Sequence, residues 1–240
     1  MIRSLRNLTI AAVTVTCSGA FAGSITGKIV YEGSVPASIT KPIDTSGDPQ
    51  CAAHADGKGP VNEVLVLGPG QTMANIVVKV IKGLPEGKTW DAPTEAAEMT
   101  QKGCQYSPHV LAIQLGQKVK VLNPDGILHN VNCQPKLNKA ANRAMPKNLT
   151  ELEFDFDQIE DPFRFKCDVH PWMMAYCTVI AHPFFDVTEV DGVFTIDGLE
   201  PGEYEIEAWH ERLGTQTATV TVTADKAGEA DFTFSRPSRN

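Results

Sequence analysis

Cys167-Asp168-Val169-His170-Pro171-Trp172-Met173 is the stretch on which the reading of this chain turns. It places a thiol, an imidazole and a thioether within one short run. Upstream, Leu128-His129-Asn130-Val131 supplies a second imidazole. Two imidazoles and a thiolate form a trigonal plane, a thioether adds a weak axial donor, and sulfur of this softness suits copper. His129, Cys167, His170 and Met173 are therefore the candidate ligands of one mononuclear copper centre. Met174, next in the chain, is the alternative axial donor. Three donors on one loop with the fourth far upstream is how one end of a β-sandwich builds such a site.

This arrangement resembles the cupredoxins, and among them the short-loop members such as amicyanin. The matching residues are His129-Asn130-Val131 and the Cys167-x2-His170-x2-Met173 spacing, with Pro171 after the second His. The segment from Pro108 to Asn123 resembles a cupredoxin strand pair broken by a turn at Gly116. The resemblance covers residues 105–180, about a third of the chain. It implies an all-β Greek-key sandwich and a type 1 centre that carries electrons without catalysing a reaction, since all four metal positions are filled. It also implies that His129 is buried, that His170 reaches the surface inside an apolar rim containing Pro171 and Trp172, and that Asn130 holds the ligand loop from a flanking position.

The first 22 residues read as an export leader. Arg3 and Arg6 open it, an apolar run covers 8–15, and Ala20-Phe21-Ala22 is a small-x-small cleavage site before Gly23. The run is too short to span a bilayer. Cleavage removes Cys17 and leaves 19 basic against 29 acidic residues. An acidic chain in a periplasm or beyond is a poor partner for nucleic acid. A redox partner protein is expected, and no membrane insertion of the mature chain.

Sixteen prolines, nineteen glycines and many short alternating runs indicate a β-rich protein. Strands are expected at 24–31, 61–67, 74–81, 163–166, 215–222 and 231–234, and short helices at 94–100 and 138–144. Residues 187–196 read as a hairpin around Asp191-Gly192. A Pro201-Gly202 turn then feeds a long alternating strand.

That C-terminal texture is similar to the carboxypeptidase regulatory-like domain, a small transthyretin-like β-sandwich. The residues that carry the likeness are Thr188, Gly192, Phe194 and Pro201-Gly202-Glu203-Tyr204. The strands at 23–31 and 74–81 suit the opening of such a domain. The expected arrangement is nested: a regulatory-like sandwich from 23–100 and 181–236, interrupted by a cupredoxin at 101–180. The alternative is a tandem order in which the N-terminal strands belong to the cupredoxin.

Five cysteines survive cleavage. With Cys167 on metal, four remain and allow three pairings. The favoured set is Cys51–Cys104 with Cys133–Cys177, because the cupredoxin resemblance implies that the strands bearing Cys133 and Cys177 run near each other. The other reading leaves Cys133 and Cys177 as buried free thiols. His109, His182 and His210 read as hydrogen-bonding residues at the domain junction, or else as a second metal site such as zinc. His54 reads as an exposed loop residue. No nucleophile elbow, phosphate-cradling loop or His-Glu-x-x-His is present. A copper-handling protein, a chaperone or buffer, is the alternative to an electron carrier.

Overall fold

The computed structural model describes residues 23–39, 41–54 and 59–236. The expected leader, 1–22, lies outside the described residues. In chain order the strands are β1 (Gly23–Glu32), β2 (Val77–Lys82), β3 (Ala97–Gln101), β4 (Tyr106–Ser107), β5 (Val110–Gln114), β6 (Val119–Leu122), β7 (His129–Gln134), β8 (Ala141–Met145) and β9 (Glu151–Phe154). There follow β10 (Glu160–Lys166), β11 (Met174–Ile180), β12 (Phe185–Val187), β13 (Val193–Leu199), β14 (Gly202–His210), β15 (Gly214–Val222), β16 (Gly228–Glu229) and β17 (Phe232–Ser235). One short helix, α1 (Pro49–His54), precedes β2.

The protein is all-β, and its strands sort into two pairs of sheets. β3–β11 build one pair, in orders β5-β11-β10-β7-β8 and β4-β3-β6-β9. Between these sheets lies a core in which Phe154, Phe156, Phe163 and Phe165 pack edge to face or tilted. The remaining strands build the second pair, in orders β12-β2-β14-β15 and β13-β1-β16, with β17 also on β1. Its core is separate and contains Ile25, Ile29, Val78, Phe194, Ile206 and Phe234. The N-terminal strand β1 thus pairs with β13, β16 and β17 and not with a sheet of the middle segment. A small apolar cluster of Val77, Val110 and Ile180, flanked by Tyr176 and Trp209, lies between the two pairs.

Several elements differ from the sequence expectation, each for a physical reason. Residues expected to be helical around 94–100 and 138–144 form β3 and β8 instead. β3 pairs in parallel with β6, and β8 pairs with β7, so ladder bonds override a weak local helix preference. The apolar stretch 61–67 forms no strand. β2 already has β12 and β14 on its two sides, and Val61 N–H is bonded by the Gln105 side chain. Residues 187–196 are a corner and not a hairpin, because β12 pairs with β2 while β13 pairs with β1. Gly192 makes that corner at φ +70°, and a Cβ there would meet Ile29 O at 2.5 Å. Likewise β5 and β6, on either side of Gly116, lie in different sheets. His54 ends α1 instead of lying in a loop.

The Cys51–Cys104 disulfide is present, but Cys133 and Cys177 are free and buried. β10 lies between their strands, with Phe165 opposite Cys133 and Phe163 opposite Cys177. Two ladder spacings put them roughly 10 Å apart, beyond the reach of a disulfide.

Candidate metal centre

The site forms where β7, β10 and β11 meet at one end of the five-stranded sheet. His129 is the first residue of β7, Cys167 follows β10 directly, and the loop carrying His170 and Met173 leads into β11. β7 and β10 are antiparallel neighbours, so the start of one meets the end of the other. Lys166 opposite Met174 closes the ligand loop as a tight connection. Within it, Met173 N–H donates to His170 O at 2.9 Å, and Cys167 N–H donates to Met173 O at 3.1 Å. The Tyr106 hydroxyl lies 2.9 Å from Asn130 O and 3.1 Å from Lys166 O, bracing β7 against β10 beneath the site.

Three donor atoms converge. His129 Nδ1 and His170 Nδ1 are 3.0 Å apart, and Cys167 Sγ is 3.7 Å from His170 Nδ1. Ligating atoms of His129, Cys167 and His170 all lie within 4.8 Å of one another. Cys167, His170 and Met173 are each 1% exposed, and His129 is fully buried. Met173 belongs to the same apolar core as Cys167. Met174 instead lines a surface cavity with Trp172 and His109.

Each imidazole has its outer nitrogen taken by a carboxylate. Asp125 Oδ2 is 2.9 Å from His129 Nε2, and Asp48 Oδ2 is 3.0 Å from His170 Nε2. Asp125 is itself fixed by the N–H groups of Gly103 and Cys104 at 2.8 and 2.9 Å. Burial alone would raise the Asp125 carboxyl, but the His129 and backbone bonds outweigh it and hold the pKa low. Burial also works against a charged His129, yet Asp125 and the Cys167 sulfur raise its pKa. For Cys167, burial opposes the thiolate, while bonds from His129 and from nearby backbone N–H groups lower the pKa. The His170 pKa is lowered, by burial first, against the pull of Asp48.

Asn130 takes the flanking role expected of it: its Oδ1 accepts from Asp168 N–H at 3.1 Å. Its Nδ2 donates to Asn142, and Asn132 and Asn142 both donate to the Asp168 carboxylate. The start of the ligand loop is therefore tied to β7 and β8.

The surface exposure expected of His170 is not observed. Asp48 and α1, from the segment before β2, cover its outer edge. Pro171 is exposed and Trp172 half-buried, its Nε1–H donating to Cys104 O at 3.0 Å. Asp48, Asp125 and Tyr106 escaped the sequence reading. Only Asp125, four residues before His129, carried a local signal.

Among the described residues, the other histidines form no second metal site. His182 Nε2 is 3.0 Å from Val80 O and its Nδ1 accepts from Phe184 N–H. His210 Nδ1 accepts from Arg212 and Leu213 N–H. His109 lies between Met174 O and Glu211, each at 3.1 Å. Every cluster of potential metal-binding groups among the described residues involves His129 or His170.

No family model matches the chain. No curated protein matches it. Among solved structures, part of the chain is similar to a copper-containing nitrite reductase from Thermus scotoductus SA-01, at 16% identity and TM-score 0.33. That match covers 41% of this chain and 25% of the reductase, so the chain spans about a quarter of that protein. It is also similar to a purple cupredoxin from Nitrosopumilus maritimus, at 24% identity and TM-score 0.29, over 35% of this chain and 98% of that one. An oxidised amicyanin variant is similar at 21% identity and TM-score 0.32, over 35% of this chain and 81% of that one.

Proposed function

We propose that this chain is an exported copper protein that carries single electrons, with one type 1 centre that His129 Nδ1, Cys167 Sγ, His170 Nδ1 and Met173 would hold. The observation that carries this reading is the convergence of two imidazole nitrogens and one buried thiol within 4.8 Å. That donor set fits copper. Bound copper would supply a one-electron couple.

The chain's own residues do the rest. Asp125 and Asp48 occupy the outer imidazole nitrogens and leave both Nδ1 atoms free to face inward. The fall in the Cys167 pKa favours the thiolate form. Burial keeps water off the donors, and the β7–β10–β11 frame with its Asn130–Asp168 tie resists rearrangement. Four internal donors leave no position for a substrate, which favours a carrier over an enzyme. Met173 is the better candidate for the fourth donor because it lies in the same core as Cys167, whereas Met174 lines a surface cavity.

Export is supported by the leader-like first 22 residues and by the Cys51–Cys104 bridge, which persists in oxidising compartments. Among the described residues, no helix is long and apolar enough to cross a membrane. The β3–β11 sandwich is proposed as the cupredoxin unit, which puts its start at β3, Ala97, and not at the expected 101. The sandwich of β1, β2 and β12–β17 is proposed as a regulatory-like unit that docks a redox partner. Its support is the exclusive pairing of β1 and β2 with strands β12–β17.

A redox titration of the copper-loaded protein tests the reading. A reversible one-electron wave with copper retained through many cycles is expected. Rapid surrender of copper to a mild chelator would instead favour the copper-handling alternative.

A further inference from the structure

The outer imidazole of the centre is covered by a segment that belongs to none of the four sheets. Asp48 stands just before α1, and Cys51 within α1 is bonded to Cys104. Cys104 N–H is held by Asp125, the same carboxylate that meets His129 Nε2. Cys104 O accepts from Trp172 on the ligand loop. A sulfur of Cys51 and one of Cys104 lie within 4.8 Å of a ring nitrogen of His170, and Cys104 is equally close to His129. One bridge therefore lies against both imidazoles and joins the segment bearing Asp48 to the frame bearing Asp125.

Resting on the copper reading above, we propose that Asp48 is a positioning residue of the centre, held over His170 by the Cys51–Cys104 bridge. An Nε2–H that donates to Asp48 leaves the Nδ1 lone pair facing His129 and Cys167. The Asp48 side chain is 29% exposed and that of His170 only 1%, so the carboxylate stands on the solvent side of the Nε2 edge. A carboxylate there orients the ring and strengthens its nitrogen as a donor. It also closes the imidazole edge to solvent and to direct contact with a partner.

Two measurements on Asp48→Ala, Asp48→Asn and the Cys51→Ser/Cys104→Ser double variant test this. The first uses copper-free protein treated with diethyl pyrocarbonate, with modification read residue by residue by mass spectrometry. His170 is expected to be protected in the wild type and modified in Asp48→Ala and in the double variant. The second is copper(II) affinity by chelator competition. Asp48→Ala is expected to lose about 10- to 100-fold. Asp48→Asn, which keeps an acceptor without the charge, loses less.

Wild-type affinity and protection in Asp48→Ala overturns the proposal, as do equal affinity losses in Asp48→Ala and Asp48→Asn. Protection retained in the double variant overturns the role of the bridge. A wild type that binds no copper defeats the copper reading instead, while His170 protection in the metal-free chain still decides whether Asp48 covers it.

Discussion

His210 shows how a single buried side chain makes this protein sensitive to acid. Its ring is 3% exposed, and its Nδ1 accepts from two backbone N–H groups. Burial lowers its pKa to about 4, against the opposing pull of Glu211. The unfolded chain binds a proton below the ordinary value of 6.5 while the folded chain stays neutral. The contribution is therefore complete above about pH 6.5 and is lost as pH falls toward 4, with a loss on the order of 2 kcal/mol by pH 5. Urea unfolding of copper-free protein at pH 7 and pH 5 checks this. Wild type should lose about 2 kcal/mol more than His210→Gln between the two conditions, and equal losses would contradict the assignment. Asp125 is a second buried residue on which stability depends. Replacing it with Ala strands two backbone N–H groups and one imidazole N–H, with an expected cost of about 2–5 kcal/mol in urea unfolding. A cost below about 1 kcal/mol would show that solvent reaches those donors.

Among the elements, α1 and the segment around it depend on one covalent link. The Cys51–Cys104 bridge closes a separation of 53 residues. In the chain-entropy account such a loop is worth about 4 kcal/mol. Replacing both cysteines with Ser should lower the urea midpoint accordingly, and an unchanged midpoint would mean that the segment docks equally well without it. The ligand spacing was legible because core packing alone seldom sets a thiol, an imidazole and a thioether three residues apart on a tight loop, with a second His on a distant strand. The Cys51–Cys104 pairing was legible as one of three choices. β3 and β8 were misread because their pattern is weak and their identity comes from β6 and β7, whose pairing with them the local sequence does not reveal. The Cys133–Cys177 pairing failed for a related reason: that β10 runs between them is a property of strand order. Asp48 was invisible because nothing local to it points to His170, 122 residues away.

Across the whole molecule, two cores with separate residues meet at the small cluster around Val77, Val110 and Ile180. The centre lies entirely in one of them. Ligand binding stabilises what it binds by mass action. Calorimetry of copper-free and copper-loaded protein should therefore show copper raising the melting step of the β3–β11 sandwich, with a smaller effect on the other. Phe165→Ala, in the core beneath the site, should lower that same step at a cost of about 3–5 kcal/mol. A single transition shifted as one by copper and by Phe165→Ala alike would show instead that the two sandwiches unfold as one cooperative unit.

The copper reading is tested by visible absorption of the purified chain, titrated with copper(II) beside its Cys167→Ser variant. An intense sulfur-to-copper charge-transfer band that saturates at one equivalent is expected in the wild type and absent from the variant. A colourless copper-bound wild type, or a band that persists without the Cys167 sulfur, would contradict it.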